Sequence, residues 1–145
     1  MLRYLSGLIS LLVCVPMANA AAVQFAARQD IATSAKHLTG LAVADFNGDG
    51  KPDIAVTDDY SQVITVYLND GSGGFSKSVT TTLNVPSIGG LGALVAGDVN
   101  EDGKQDLIVA PVAGLQYDIV LLGNGDGTFT QKGQISTSYG FGAAT

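Results

Sequence analysis

The chain has 145 residues, of which 19 are glycine, 46% are apolar and 14% are charged. This length predicts at most one domain, and the formal net charge of −6 argues against a nucleic-acid partner, because no basic stripe is present to displace counterions from phosphates. Short segments rich in Val, Ile, Thr and Tyr alternate with glycine and aspartate clusters, a composition typical of an all-β protein.

Residues 1–20 have the pattern of a secretory signal peptide. Arg3 supplies a positive start, an apolar run extends from Leu5 to Val15, and Ala18-Asn-Ala20 has the form of an A-x-A cleavage site. We therefore expect a mature chain of residues 21–145 that is secreted, in the extracellular space or the periplasm.

Two kinds of membrane attachment compete with a cleaved signal. A transmembrane anchor needs roughly 20 apolar residues, more than the first run provides. A lipoprotein signal needs a small residue before its cysteine, and Val13 precedes Cys14. We expect no membrane anchor in the mature chain. It then has no cysteine for a disulfide or a thiolate zinc site, because Cys14 is the only one.

One acidic nonapeptide occurs twice. The copies are Asp45-Phe-Asn-Gly-Asp-Gly-Lys-Pro-Asp53 and Asp98-Val-Asn-Glu-Asp-Gly-Lys-Gln-Asp106. Side-chain oxygens at positions 1, 3, 5 and 9 and a glycine at position 6 match the needs of calcium coordination. Such segments are also common as solvated turns, but two copies in the same phase favour a metal loop. An EF-hand is excluded because its position 12 requires glutamate, and Val56 and Val109 stand there.

Two calcium ions are predicted, one per loop. The ligands of the first are the side chains of Asp45, Asn47, Asp49 and Asp53 and the Lys51 carbonyl; those of the second are the side chains of Asp98, Asn100, Asp102 and Asp106 and the Lys104 carbonyl. An irregular loop with only oxygen ligands suits calcium better than octahedral magnesium. Because the carboxylates of one loop repel each other, we expect the ion to order the loop and to have a structural role.

The repetition extends beyond the loops. Asp53-Ile-Ala-Val-Thr matches Asp106-Leu-Ile-Val-Ala, Val63–Leu68 matches the run that begins at Asp118, and Gly71–Phe75 matches Gly125–Phe129. Each unit predicts four short antiparallel strands: one entering the loop (41–46 and 91–99), one leaving it, one ending at the glycine turn and one starting at phenylalanine. Consecutive apolar residues in the strand that leaves each loop predict that both of its faces are covered.

The glycine turn Gly123-Asn-Gly-Asp-Gly127 resembles a phosphate-binding loop. A dinucleotide site requires a helix after the glycines, whereas a strand pattern follows here, so we reject nucleotide binding. A hairpin turn explains the glycines. Asn124 and Asp126 could lend oxygens to a weak additional cation, but a turn is the favoured interpretation.

The segments Val43–Val56 and Leu121–Phe129 closely resemble the FG-GAP or VCBS repeat, the blade of integrin-α-like β-propellers, which is common in secreted bacterial proteins. The resemblance covers nearly all of residues 23–145. It implies four-stranded antiparallel blades, each with a calcium loop between adjacent strands, in propellers of about seven blades. It also implies the last strand of one blade from residue 23, a first repeat at about 41–83 and a second at about 91–137, hence about two blades of an incomplete ring.

Two blades leave two apolar faces uncovered, since repeat proteins need roughly three units to bury their faces. We favour a truncated or fragmentary chain whose intact relative is longer. Self-association of several copies through the exposed blade faces is the other way to cover them.

The predicted function is that of a noncatalytic, calcium-binding extracellular module that binds a protein or a glycan. The alternative is an accessory propeller of a larger secreted enzyme acting on polysaccharides. Direct catalysis is disfavoured because His37 is the only histidine, no G-x-S-x-G turn is present, and clustered cation ligands lack the raised pKa of a catalytic acid. Without Trp, glycan stacking would depend on Tyr60, Tyr67, Tyr117 or Tyr139, and Tyr67 is predicted to be in the core.

Overall fold

A computed structural model describes residues 30, 31, 33, 37–58, 62–85, 90–111 and 117–136. The chain divides into two compact units, Met1–Asp30 and Ile31–Thr145, and every described strand belongs to the second. The predicted signal peptide, the strand expected from residue 23, Tyr60 and Tyr139 lie outside the described residues.

Eight strands form two antiparallel sheets, each in sequential order. The first sheet contains β1 (Leu38–Ala44), β2 (Asp53–Asp58), β3 (Val63–Leu68) and β4 (Lys77–Thr82), and the second contains β5 (Leu91–Gly97), β6 (Asp106–Pro111), β7 (Tyr117–Gly123) and β8 (Phe129–Ser136). The described residues contain no α-helix. The predicted all-β fold with two four-stranded meanders is therefore confirmed. The fourth strand starts at phenylalanine only in the second sheet, because β4 begins two residues after Phe75.

The strand register corrects the alignment of the two repeats. Ile54 pairs with Tyr67 in the first sheet, and Leu107 pairs with Leu121 in the second. Since Ile54 and Leu107 both follow the last loop aspartate, Tyr67 corresponds to Leu121, and Val63 corresponds to Tyr117. The predicted match of Val63 with Asp118 is wrong by one residue. A shift of one residue moves every side chain of a strand to the opposite face.

A shared hydrophobic core lies between the two sheets. The first sheet contributes Ala42, Ala55, Ile64 and Val66, and the second contributes Leu94, Leu107, Val109, Ile119 and Leu121, all of them buried. The prediction that both faces of each loop-leaving strand are covered holds only in part, because Ile54 and Ile108 are half-buried on the faces that point away from this core. Tyr67 is buried, as predicted.

The first strand of each sheet, β1 and β5, is an edge strand, and these two strands approach each other closely. A Cβ atom on Gly40 would lie 2.3 Å from the carbonyl oxygen of Gly92, so only glycine fits there. The buried hydroxyl of Thr57 donates a hydrogen bond of 2.9 Å to the same oxygen. The part of the chain that the structure describes has no helical segment of the length and hydropathy that crossing a bilayer requires.

Candidate metal centre: the two acidic loops

Each acidic nonapeptide connects the first two strands of its sheet. The first loop lies between β1 and β2 and the second between β5 and β6. Gly50 (φ 80°) and Gly103 (φ 83°) at position 6 have left-handed backbone, as the motif predicts. Position 4 is also left-handed, with Gly48 at φ 76° and Glu101 at φ 60°. The left-handed backbone at position 4 was not predicted from the sequence, although the glycine at that position of the first loop was an indication of it.

The first aspartate of each loop accepts hydrogen bonds from the turn that follows it. Asp45 Oδ1 accepts from the amides of Gly48 (2.8 Å) and Asp49 (3.1 Å), and Oδ2 accepts from that of Gly50 (2.7 Å). In the second loop, Asp98 accepts from the amides at positions 5 (3.1 Å) and 6 (2.8 Å) in the same way. The loop thus wraps around the carboxylate at position 1.

The side chain at position 3 meets the side chain at position 1 at a shared amide. Asp49 N–H donates to Asn47 Oδ1 (3.0 Å) as well as to Asp45, so these two oxygens lie side by side. Asp102 N–H likewise donates to Asn100 Oδ1 (3.2 Å). The structure therefore brings positions 1, 3 and 5 together in both loops, through the amides at positions 5 and 6. In the second loop the Asn100 side chain also donates to Asp102 Oδ2 (3.1 Å).

The last aspartate of each loop is completely buried and has a structural role that the sequence did not indicate. Asp53 accepts from the amides of Phe46 (3.1 Å) and Asn69 (2.9 Å). Asp106 accepts from the amides of Val99 (2.9 Å) and Gly123 (2.8 Å). Each carboxylate therefore ties its loop to the end of the third strand. A buried carboxylate needs such donors, because desolvation without hydrogen bonds is costly.

The lysine at position 7 pairs with the aspartate at position 5. Lys51 Nζ lies 3.2 Å from Asp49 Oδ2, and Lys104 Nζ lies 3.8 Å from Asp102 Oδ2, with all four side chains at least one-third exposed. Such exposed pairs contribute less than about 1 kcal/mol to stability. Only the backbone carbonyls of Lys51 and Lys104 were predicted to take part in the loops; their side chains in addition contact the position-5 aspartates.

The pKa values of both position-5 aspartates are lowered. For Asp102 the main cause is the hydrogen bond from the Lys104 amide, followed by the bond from Asn100. For Asp49, partial desolvation acts to raise the pKa, but the hydrogen bonds from Lys51 and Asn47 outweigh it. Both side chains therefore remain carboxylates at neutral pH, which is the form that a cation binds.

The donor set fits calcium in its chemistry, since both loops present only oxygen atoms. Among the described residues, no group of three or more Asp, Glu, His or Cys side chains is arranged to hold a metal ion. The side-chain oxygens at positions 1, 3 and 5 instead accept hydrogen bonds from amides of their own loop. The carboxylate at position 9 is buried and accepts from amides that follow the two neighbouring strands. An incoming cation would compete with these amide donors for the same oxygens.

A cleft of about 320 Å³ separates the two acidic loops. Its lining comes from the first loop, from the second loop and from the second glycine turn; the residues are Ala44, Asp45, Phe46, Gly48, Gly103, Lys104, Gln105 and Gly125. Charges of both signs face this space, with Asp45 on one side and Lys104 on the other.

The second glycine turn is a hairpin, as predicted. Gly125 (φ 82°) and Gly127 (φ 87°) have left-handed backbone, and β8 follows directly. Asp126 Oδ1 accepts from the Thr128 amide (2.9 Å), and the Asn124 side chain donates to the Thr128 hydroxyl (2.9 Å). Both side chains hold the turn itself, which favours the turn interpretation over an additional cation.

Comparison with known proteins finds one family and several relatives. The FG-GAP-like repeat family matches residues 45–109. Phosphatidylinositol-glycan-specific phospholipase D of Homo sapiens is 38% identical over 101 residues, 60% of this chain and 12% of that protein. Integrin alpha-3 of Mus musculus is 31% identical over 108 residues, 67% of this chain and 10% of that protein. The chain thus spans only a small part of these curated relatives. No solved structure matches it.

Proposed function

The chain is an FG-GAP repeat protein, and from this premise we propose that it is a noncatalytic extracellular binding or adhesion module whose two acidic loops bind calcium. The observation that carries the proposal is the duplicated loop geometry. In both copies the oxygens of positions 1 and 3 meet at one amide, beside a position-5 carboxylate with a lowered pKa.

In the first loop, the oxygens of Asp45, Asn47, Asp49 and Asp53 and the Lys51 carbonyl would hold the ion. In the second, the oxygens of Asp98, Asn100, Asp102 and Asp106 and the Lys104 carbonyl would do so. Calcium supplies positive charge that offsets the repulsion among the carboxylates of each loop. The buried Asp53 and Asp106 already tie each loop to its sheet, so the ion would extend an existing structural clamp.

Calcium titration of the chain by isothermal calorimetry tests the proposal. We expect two ions per chain, and one ion per chain after Asp49→Ala or after Asp102→Ala, because the sites do not share ligands. Asp70→Ala, in the glycine turn of the first sheet, is the matched control and should leave two. Absence of calcium binding, or loss of both sites after one substitution, would refute the assignment.

The extracellular and binding parts of the proposal have separate support. The signal-peptide pattern of residues 1–20 supports export, and the similarity to integrin alpha-3 supports a binding role outside the cell. Secretion is checked by expressing the full chain in a bacterial host and locating the mature N-terminus. A protein retained in the cytoplasm with residues 1–20 attached would contradict it.

A second candidate function is an accessory module of a larger secreted enzyme. The match to a phospholipase D favours it, since that relative is an enzyme in which the matched segment is only 12% of the length. A carbohydrate-linked form of this role predicts glycan binding, and an array of glycans probed with the chain in calcium tests it. Binding to glycans would favour the accessory role, and binding to a protein alone would favour the adhesion role.

A further inference from the structure

The two sheets pack through opposite faces. In the first sheet, β2 turns Ala55 toward the shared core, whereas in the second sheet β6 turns Leu107 and Val109 toward it. Ala55 corresponds to Ile108, the neighbour of these two residues, because both are the second residue after the last loop aspartate. The internal contact is therefore head to tail: one face of the repeat lies on the opposite face of the next.

Each sheet consequently has an outer face that matches the inner face of the other. We call Leu41, Val43 and Ile54 the first outer face; they correspond to Leu94, Ala96 and Leu107, which pack in the core. We call Val95, Ile108 and Val120 the second outer face; they correspond to Ala42, Ala55 and Val66, which also pack in the core. The two outer faces thus correspond to the two faces that already pack against each other inside the chain.

The exposed apolar residues of the two outer sides lie mainly on the first strands of the sheets, β1 and β5; Ile135 of β8, which pairs with Asp118, is 50% exposed on the second outer side. Leu41 is 61% exposed and Val43 is 55% exposed on β1, and Val95 is 61% exposed on β5. Other apolar residues on the same side of the first sheet, Val56 and Tyr67, are already buried. Leu41 and Val43 lie two residues apart on the same face of β1, and adjacent exposed apolar residues of this kind are typical of interaction surfaces.

The acidic loops also show a contact that is made inside the chain by the first loop and is left open by the second. Phe46 of the first loop is 2% exposed, packs edge-on against Phe129 at 5.6 Å, and its carbonyl accepts a hydrogen bond of 3.0 Å from the Gly127 amide. The counterpart of Phe46 in the second loop is Val99, which is 50% exposed. The counterparts of Phe129 and Gly127 in the first sheet are Phe75 and Gly73.

We propose that the second outer face of one copy of this chain packs on the first outer face of another copy, in the arrangement that joins the two sheets within the chain. Val95 and Val99 of one copy then contact Leu41, Val43 and Phe75 of the next. A second copy is the occupant because the internal interface continues across this contact with the same kind of surface on each side. Such a heterologous contact leads to a closed ring or an open chain. The proposal goes beyond the binding function and does not depend on calcium.

Asp118 lies on the same side of β7 as Val120 and provides a sharper variant. It corresponds to the fully buried Ile64 of the first sheet, by the registers of β3 and β7. Burying a carboxylate without a partner opposes association. Asp118→Ile should therefore strengthen self-association at a given protein concentration, whereas it would leave a monomer unchanged.

Sedimentation velocity of the 145-residue chain and two variants tests the proposal. We expect the wild type to form species heavier than 14.8 kDa as concentration rises, and Val43→Asp and Val95→Asp to be monomeric when alone. An equimolar mixture of these two variants should form a dimer of twice that mass and stop there, because each variant retains the face that the other lacks. Misfolded variants could not restore a dimer in this way.

Ser136→Asp, at the exposed end of β8 and off both outer faces, is the matched control and should assemble like the wild type. A wild type that stays monomeric at all concentrations would overturn the proposal and leave further repeats of a longer chain as the cover of these faces. A self-associating Val43→Asp or Val95→Asp, or a mixture that stays monomeric, would also overturn it, since both exclude the head-to-tail contact.

Discussion

The two acidic loops share the hydrogen bonds that their amides at positions 5, 6 and 7 donate, but the residues around these bonds differ. At position 4 the first loop has Gly48 and the second has Glu101, although the backbone is left-handed in both. The position-8 carbonyls also have different neighbours at equivalent sites. The Asn69 side chain donates a hydrogen bond of 3.0 Å to the Pro52 carbonyl, whereas Gly123 lies so close to the Gln105 carbonyl that no side chain fits. The comparison shows that the repeat preserves backbone geometry and the buried aspartate, while neighbouring positions vary.

The buried aspartates should be the most sensitive points of both sheets. Asp53→Asn and Asp106→Asn each place an amide group, which has only one acceptor atom, against two backbone N–H donors. We expect each substitution to lower the free energy of unfolding by about 3 kcal/mol, since a buried donor left without an acceptor costs about 1–3 kcal/mol. Urea denaturation in the presence of a chelator measures the loss without any contribution from calcium.

Glu101→Gln is the control for this pair, because it removes the charge of an exposed loop carboxylate and should change stability by less than about 0.5 kcal/mol. Similar losses for the two aspartates would confirm that the repeat preserves this clamp. A large loss at one aspartate only would break the equivalence between the sheets.

Substitutions at the equivalent residues Gly123 and Asn69, which face the position-8 carbonyls, should give the next largest losses of stability. A Cβ atom on Gly123 would lie 2.2 Å from the Gln105 carbonyl oxygen, so Gly123→Ala must move the backbone of the second loop. We expect a loss of about 2 kcal/mol, within the range for overpacked sites. Asn69→Ala removes two exposed side-chain hydrogen bonds, one donated to the Pro52 carbonyl and one accepted from the Gly71 amide (2.8 Å), and should cost about 1 kcal/mol. Thermal melts of the two variants under identical conditions compare them, and an Asn69→Ala loss that exceeds that of Gly123→Ala would contradict this account.

The strands and turns were predictable from sequence because their signals are local. Alternating apolar residues, the left-handed glycines Gly50 and Gly103 and the hairpin glycines each act over a few residues, and the structure has them as predicted. The burial of Tyr67 was also predictable from its apolar neighbours, although the residue lies on the side of the first sheet that faces away from the shared core. These features need no knowledge of which strand pairs with which residue.

The register of the third strand and the role of the last loop aspartate were not predictable in this way. The connection between β6 and β7 is one residue longer than that between β2 and β3, and the apolar pattern favoured aligning Ile64 with Ile119. Asp53 and Asp106 have the residue type of a calcium ligand, but their burial depends on the return of the third strand to the loop. Both features arise from contacts between distant segments, which one sequence does not show.

The left-handed residue in the second loop offers a way to make the two loops equal. Glu101 at φ 60° is in a conformation that costs a residue with a Cβ about 1–2 kcal/mol. Glu101→Gly should stabilise the chain by about 0.5–1 kcal/mol, because the greater freedom of glycine in the unfolded state offsets part of the gain. Gly48→Glu in the first loop should destabilise it by a similar amount. Opposite signs in urea denaturation support the account, and equal signs would contradict it.

The glycine turns should contribute the smallest effects on stability, and these effects should appear only at acidic pH. The pKa of Asp70 is lowered by hydrogen bonds from the Ser72 hydroxyl and amide and the Gly74 amide, and the pKa of Asp126 is lowered by those from the Thr128 hydroxyl and amide. A carboxylate with a lower pKa in the folded state adds stability above its unfolded value, near 3.8, and this is lost as the pH falls through the folded pKa. Urea midpoints measured downward from pH 5 in chelator should therefore decline less steeply for Asp70→Asn and for Asp126→Asn than for the wild type. Because the two aspartates stand at different positions of equivalent turns, similar changes would mean that hydrogen bonding within the turn, rather than its position in the repeat, sets this acid response.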